Sequence, residues 1–299
     1  MSSDVLPEFP YGALVEQLPE GVAPPETWAE FGLTASPEPF CAIEPVGVEP
    51  KGVRWSFWPL AFEEYVGDQE PNRTASAEGA LARNRVVLWK RVNRRDTPPG
   101  WRKASERPWR IDGFFELARN TEYVSHWNHN ARRDLKLWRR DFLGTKYSVE
   151  NISLPEFEAA YRKSIVAKKA GTIMLKTLKR RLALPEREAA TALFGVRNLA
   201  TGEVIAGTAA LFSETAHASV RECPFMLPEA RDVYAATGLI DHWYQEAMMR
   251  NTKTLWYASF WFPGEPASWK GFSEFKSHFG LSYIAYPPLL WRFERGILF

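Results

Sequence analysis

The side chains of this 299-residue chain that could move a proton or meet a developing charge gather in its last third. Glu222 and Asp241 are the carboxylates suited to taking a proton from an amine, and His217 and His242 are further titratable groups. Tyr257 could donate a proton or hydrogen-bond a substrate. Each has a plainer reading. His217 opens a strand and suits a surface or packed position, His242 can pair with its neighbour Asp241, and tyrosines on strands commonly pack. Two other chemistries find little support. No G-x-S-x-G elbow occurs, and Cys223 sits beside Pro224 outside any nucleophile motif. His126 and His129, three residues apart, have no H-E-x-x-H text or acidic cluster around them, and Cys41 and Cys223 cannot complete a four-ligand zinc set. No metal is expected.

One further stretch combines a cation with aromatic residues: FSEFKSHFG, Phe272 to Gly280. Phe272, Phe275 and Phe279 recur at spacings of 3 and 4, one apolar stripe of a helix, with Lys276 at its edge. From periodicity alone, Lys276 is a solvated helix lysine.

The elements around these residues alternate strand and helix. KYSVENI reads as a strand, and Ser153 with Glu156 forms an S-x-x-E capping box over a helix that runs to about Lys169, with Pro155 in its first turn. Gly171 breaks it, and a second helix covers about Ile173 to Leu184. TALFGVRN and EVIAGTAALF form a hairpin around LATG, and HASVREC is a third strand. Thr237 to Arg250 reads as a helix, TLWYASFW as a strand and Ser268 to His278 as a helix. LSYIAY and LLWRFER follow as two strands. Upstream, the spacing of Val124, Trp127, Ala131, Leu135 and Trp138 predicts one long helix from Glu122 to Phe142, with Arg132 and Arg133 on its basic side.

The first 50 residues are rich in proline and glutamate and read as extended backbone, with a short helix at Thr27–Leu33. VRWSFWP is a strand, LAFEEYV a short helix, 67–80 a surface loop, RVVLWKRV a strand and TPPGWRKASERPW a loop. Three regions result: an acidic, proline-rich 1–80, a basic strand and helix region 81–144, and a main domain 145–299. Charge is segregated beneath an overall +2. Residues 1–80 carry a net −11, 81–181 a net +15 and 182–299 a net −2. The basic segment suits a phosphate-rich partner such as tRNA, unless the acidic leader neutralises it. Thirteen tryptophans, five of them (Trp89, Trp101, Trp109, Trp127, Trp138) among these cations, fit the stacking of single-stranded bases as well as ordinary packing. No run of roughly 18 apolar residues suggests a membrane span. The first residues lack signal-peptide character, and a cytoplasmic location is expected.

The element order from residue 146 is similar to that of the GCN5-related N-acetyltransferase (GNAT) superfamily. Two texts resemble its Fem-type aminoacyltransferase branch, which builds peptidoglycan cross-bridges: NARRDLKLWRR, Asn130–Arg140, and FKSHFG, Phe275–Gly280, an FK-x-x-FG signature. The resemblance covers about 125–296. YASFWFPGEPASWKGFSEF more loosely resembles arginyl-tRNA–protein transferases.

The resemblance implies an α/β fold: a mixed, mainly antiparallel sheet flanked by helices, with an irregular N-terminal extension. It implies transfer of an acyl or aminoacyl group to an amine. Phe275 and Lys276 would lie by the acyl carbonyl, the ammonium meeting the oxyanion. Gly207, Thr208 and Ala209 on one strand and Trp256 to Phe260, with Ser259, on another would flank the cleft. Arg231 and Gly238 would lie where the donor's phosphates bind. The acetyl-CoA branch has a glycine-rich turn there; PFMLPEARDVYAATG lacks it. No permanently bound cofactor is implied; the co-substrate is an aminoacyl-tRNA or an acyl thioester such as acyl-CoA. The rival reading is a catalytically silent protein of this fold that binds nucleic acid or a protein partner through its basic segment.

Overall fold

A computed structural model describes residues 8–15, 17–25, 43–46, 51–57, 60–71, 84–183 and 188–295. The helix expected at Thr27–Leu33 and Cys41 lie outside them. In chain order the strands and helices are β1 (Leu14–Val15), β2 (Ile43–Val46), β3 (Lys51–Phe57), β4 (Leu60–Val66), β5 (Asn84–Lys90), β6 (Arg102–Pro108) and β7 (Ile111–Glu116). There follow α1 (His129–Leu137), β8 (Tyr147–Asn151), α2 (Leu154–Lys163), α3 (Ile165–Ala170), α4 (Ile173–Leu182), β9 (Thr191–Asn198), β10 (Val204–Ser213) and β11 (Ala218–Met226). Then come α5 (Ala235–Met249), β12 (Thr254–Tyr257), α6 (Lys270–Ser277), β13 (Ser282–Ala285) and β14 (Pro288–Glu294).

The chain divides into two compact units, each discontinuous in sequence. One comprises residues 1–112, 259–270 and 283–299, and the other 113–258 and 271–282.

The first unit contains a sheet in the order β2-β3-β4-β5-β14-β6. LAFEEYV, expected as a helix, is strand β4, antiparallel to β3 and parallel to β5. Tertiary partners override its helix-forming composition. Glu63 is almost fully buried because Arg85 of β5 pairs with it at 3.1 Å, and Arg85 also pairs with Glu294 of β14. RKASERP, expected within a loop, is edge strand β6. Its alternation is weak because most of it is exposed, and its pairing with β14 supplies the order that composition does not.

The second unit carries strands in the order β7-β12-β11-β10-β9-β8. All neighbours are antiparallel except β11 and β12, the mixed, mainly antiparallel sheet that was expected. β10 is buried along nearly its whole length, and its unbroken run of small and apolar residues matches a strand covered on both faces. On one face Phe157 and Tyr161 of α2 and Leu175 and Leu178 of α4 form a core with Leu193, Ala209, Cys223 and Phe225. α5 covers the other face, where Trp243 Nε1 donates to Ser219 Oγ at 2.9 Å and His242 meets Phe194 edge-on. The Ser153–Glu156 capping box forms as expected. Ser164 then divides the helix into α2 and α3, its side chain capping the second piece.

The expected single helix over 122–142 is three pieces. A 3-10 turn at Tyr123–His126 precedes α1, and a π turn at Trp138–Phe142 follows it. Asn128 causes the first break, because its side chain accepts from the Ala131 N–H as an N-cap while its own N–H donates to His278 O at 2.8 Å. The apolar stripe is nevertheless buried: Trp127, Ala131, Leu135 and Trp138 are each 1–2% exposed.

Candidate active site

Strands β11 and β12 run side by side only briefly. Their pairing covers Ala218–Val220 against Thr254–Trp256 and then stops, while β11 continues to Met226. A β-bulge marks the same place. Gly207 faces Phe225 and Ala209 faces Glu222, so two steps on β10 match three on β11, with Cys223 at φ 48°. The bulge lies just beyond the point where the β12 neighbour is lost, leaving a gap in the β11–β12 pairing that begins at Arg221 and Tyr257.

The FKSHFG segment is seated beside this gap. Phe279 is fully buried, edge-on to Trp127 at 4.8 Å and stacked on Tyr257 at 5.8 Å, and Phe275 meets it edge-on at 5.1 Å. Gly280 has φ +67°, and a Cβ there would lie 2.4 Å from the His126 carbonyl oxygen, so this position requires glycine. With the helix end fixed in this way, the half-buried Lys276 side chain reaches β12, where Nζ donates to Ala258 O at 2.7 Å. The signature thus divides its labour: Phe279 and Gly280 anchor, Phe275 packs on Phe279, and Lys276 faces the β12 end.

Tyr257 is buried, with its hydroxyl 3.4 Å from that of Tyr244. Burial pushes the Tyr244 hydroxyl well above its ordinary pKa, and the neighbouring Tyr257 adds to the effect. Glu222 lies on β11 at the bulge and pairs with the buried guanidinium of Arg181 from α4, while its side chain stays 31% exposed. Asp241 is elsewhere. Its carboxylate is 4% exposed and accepts from Tyr123 Oη at 2.7 Å, Arg139 Nη2 at 2.7 Å and Gln245 Nε2 at 3.1 Å. Those partners tie α5 to the 123–142 segment and consume the acceptor capacity of Asp241.

Of the other expected residues, Gly207, Thr208 and Ala209 are interior positions of β10. Thr208 Oγ1 donates to Glu222 O at 3.1 Å, and a Cβ at Gly207 would strike the Phe225 ring at 2.5 Å. The strand flanking the gap opposite β12 is therefore β11, one strand over from the expected one. Gly238 lies inside α5, where a Cβ would meet Trp138 at 2.5 Å, which makes it a packing glycine. Arg231 is exposed after a 3-10 turn at Pro228–Ala230. Ser259, at φ 60°, donates its N–H to Asp112 at 2.6 Å in the first unit. Arg132 and Arg133 are exposed on α1, and Arg133 pairs with Asp134. His217 is exposed in the turn before β11. His242 is half-buried against Phe194, and desolvation lowers its pKa. Trp89, Trp101, Trp127 and Trp138 are buried, so their rings pack within the protein. His126 and His129 fall in separate elements, and among the described residues no cluster of three His, Cys, Asp or Glu could hold a metal ion. No helix of the described residues is long and apolar enough to cross a membrane.

Sequence reasoning missed Arg221. Its guanidinium has no hydrogen bond or ion pair among the described residues, and Tyr257 and Tyr244 are the polar groups close enough to act on it electrostatically. The text RECPF carries no signal for this, because only the register of β11 shows which of Arg221 and Glu222 faces α5.

No protein-family profile matches the sequence, and no curated protein matches it. Solved structures do match in fold. FemX superposes with a TM-score of 0.63 at 9% identity, over 85% of this chain and 88% of that one. L-PGS from Bacillus licheniformis gives 0.52 at 10% identity, over 84% of this chain and 83% of that one. A protein of unknown function from Bacteroides thetaiotaomicron gives 0.51 at 10%, over 84% of each chain. The fold of this chain is similar to those of FemX and L-PGS.

Proposed function

We propose that the chain is an acyl- or aminoacyltransferase that forms an amide on an amine-bearing acceptor. The observation that carries this reading is the Lys276 ammonium, held 2.7 Å from Ala258 O at the end of β12, beside the gap that opens where β11 and β12 part. A carbonyl entering that gap would find a cation already positioned for the charge that develops on its oxygen.

In the reaction proposed, the amine nitrogen attacks the carbonyl carbon, a C–N bond forms and the donor's C–O or C–S bond breaks. Glu222 accepts the proton the amine loses, and the proton leaves with the departing oxygen or sulfur. Glu222 suits this role better than Asp241 because it combines solvent access with a place at the bulge, where Arg181 pairs with it. Between β11 and α5, where phosphates of a coenzyme A donor would need a glycine-rich turn, the chain has a 3-10 turn at Pro228–Ala230 and a left-handed Tyr234 at the helix cap. An aminoacyl ester is therefore the preferred donor, the basic segment 81–181 supplying contacts to a tRNA. The likeness to FemX supports the fold on which this reading stands.

The test is transfer from labelled aminoacyl-tRNAs and acyl-CoAs to a panel of amines, with wild type and Lys276→Ala compared. Loss of an oxyanion donor lowers kcat by about 10²–10³-fold. Full activity in the variant, or no product from any donor, would sink the proposal.

A further inference from the structure

Arg221 stands out because an enclosed cation normally has a partner. Buried arginines elsewhere among the described residues do: Arg85 has Glu63 and Glu294, Arg181 has Glu222, and Arg91 has Asp96. Arg221 has none among the described residues, although protein surrounds it closely enough that desolvation lowers its pKa, opposed only by Tyr257 and Tyr244. It also keeps some solvent contact, being intermediate in exposure. Enclosure together with residual access describes a side chain on the wall of a cleft.

Its place in the sheet fits. Arg221 is the first residue of β11 beyond the last β11–β12 pair. Ser219, two residues earlier on the same face, hydrogen-bonds Trp243 of α5, so the Arg221 side chain also lies on the α5 face. Its neighbour Glu222 projects to the other face, toward α4. A molecule threading the gap would meet a cation on one side of the sheet and a carboxylate on the other.

We infer that Arg221 is the anchor for an anionic group, a carboxylate or phosphate of the substrate, held on the α5 side of the gap. This deepens the transferase reading and rests on it: one substrate carries a negative charge a short distance from its reacting centre. A planar guanidinium matches both anions through paired N–H donors, and the neutral tyrosine hydroxyls can complete the site without competing for the charge. Among the described residues no carboxylate occupies the position, and the ligand supplies the counter-charge.

The test measures anion binding separately from catalysis. Thermal midpoints and tryptophan fluorescence of the full chain are followed during titration with inorganic phosphate and, separately, acetate, at constant ionic strength. Wild type should respond saturably to at least one, and the stronger response identifies which anion the site prefers. Arg221→Met should weaken that response about tenfold or more, with Arg221→Lys intermediate. The ligand-free Arg221→Met protein should melt no lower than wild type, since it no longer encloses an unpaired charge. Lys276→Ala should bind the anion as wild type does, even if transfer activity is absent, so failure of the transferase reading does not mimic failure here. An anion response unchanged in Arg221→Met, or none in wild type, overturns the inference.

Discussion

Replacing Asp241 with alanine tests whether this carboxylate is a structural tie. The substitution removes the acceptor for Tyr123, Arg139 and Gln245 together. The costs are unequal. Tyr123 is 5% exposed, so its hydroxyl would be stranded away from water at about 1–3 kcal/mol. Arg139 is 45% exposed and can rehydrate, which limits its share to about 1 kcal/mol. The expected total is about 2–4 kcal/mol, a fall in melting temperature of about 4–16 °C for a unit of this size. Calorimetry of Asp241→Ala, Tyr123→Phe and the double variant gives the decisive comparison. Removing the stranded hydroxyl should return part of the loss, a coupling of about 1–2 kcal/mol. Strictly additive losses, or an Asp241→Ala protein as stable as wild type, would refute the argument.

Gly280→Ala should lower the melting temperature measurably, because left-handed backbone costs a non-glycine residue about 1–2 kcal/mol and the new Cβ meets the His126 carbonyl at 2.4 Å; circular dichroism melting reads it. Phe279→Ala should cost about 3–5 kcal/mol as a cavity among Trp127, Tyr257 and Phe275, seen in chemical unfolding. Glu156 has its pKa lowered to about 2 by the Ser153 side chain and backbone and then by Arg197. Its contribution to stability should therefore be complete above about pH 4.5. It should fade as pH falls toward 2, and Ser153→Ala should move the Glu156 titration upward in a carboxyl-resolved NMR experiment. Burial and then the Glu222 charge push the Cys223 thiol up to about 12, so in a Cys41→Ser protein a thiol reagent at pH 8 should react only on unfolding.

The parts of the protein readable from its sequence are those where local chemistry and tertiary fate agree. FKSHFG is legible in part: Phe279 packs inward, Gly280 takes left-handed backbone against another carbonyl and Lys276 lies at the edge, whereas Phe272, read in the same apolar stripe, is 57% exposed. The Ser153 cap is legible because it is entirely local. LAFEEYV is not, since the reason for its strand is Arg85, 22 residues later, which makes Glu63 a core residue. The 122–142 segment hides its break because Asn128 caps the helix that follows it and is also fastened to His278. Arg221 is invisible for a third reason: adjacent charges in a strand look alike in text, and only the end of a neighbouring strand's pairing makes one of them exceptional.

Strand β14 lies between β5 and β6 and pairs with both. During synthesis, β5 and β6 are complete long before β14 leaves the ribosome, so both must wait with hydrogen-bonding edges unfilled while more than half of the chain is made. Unfilled edges invite pairing with other chains. Nascent protein stalled before residue 288 is thus the species most in need of a chaperone, and the emergence of β14 is the event that lets this sheet close.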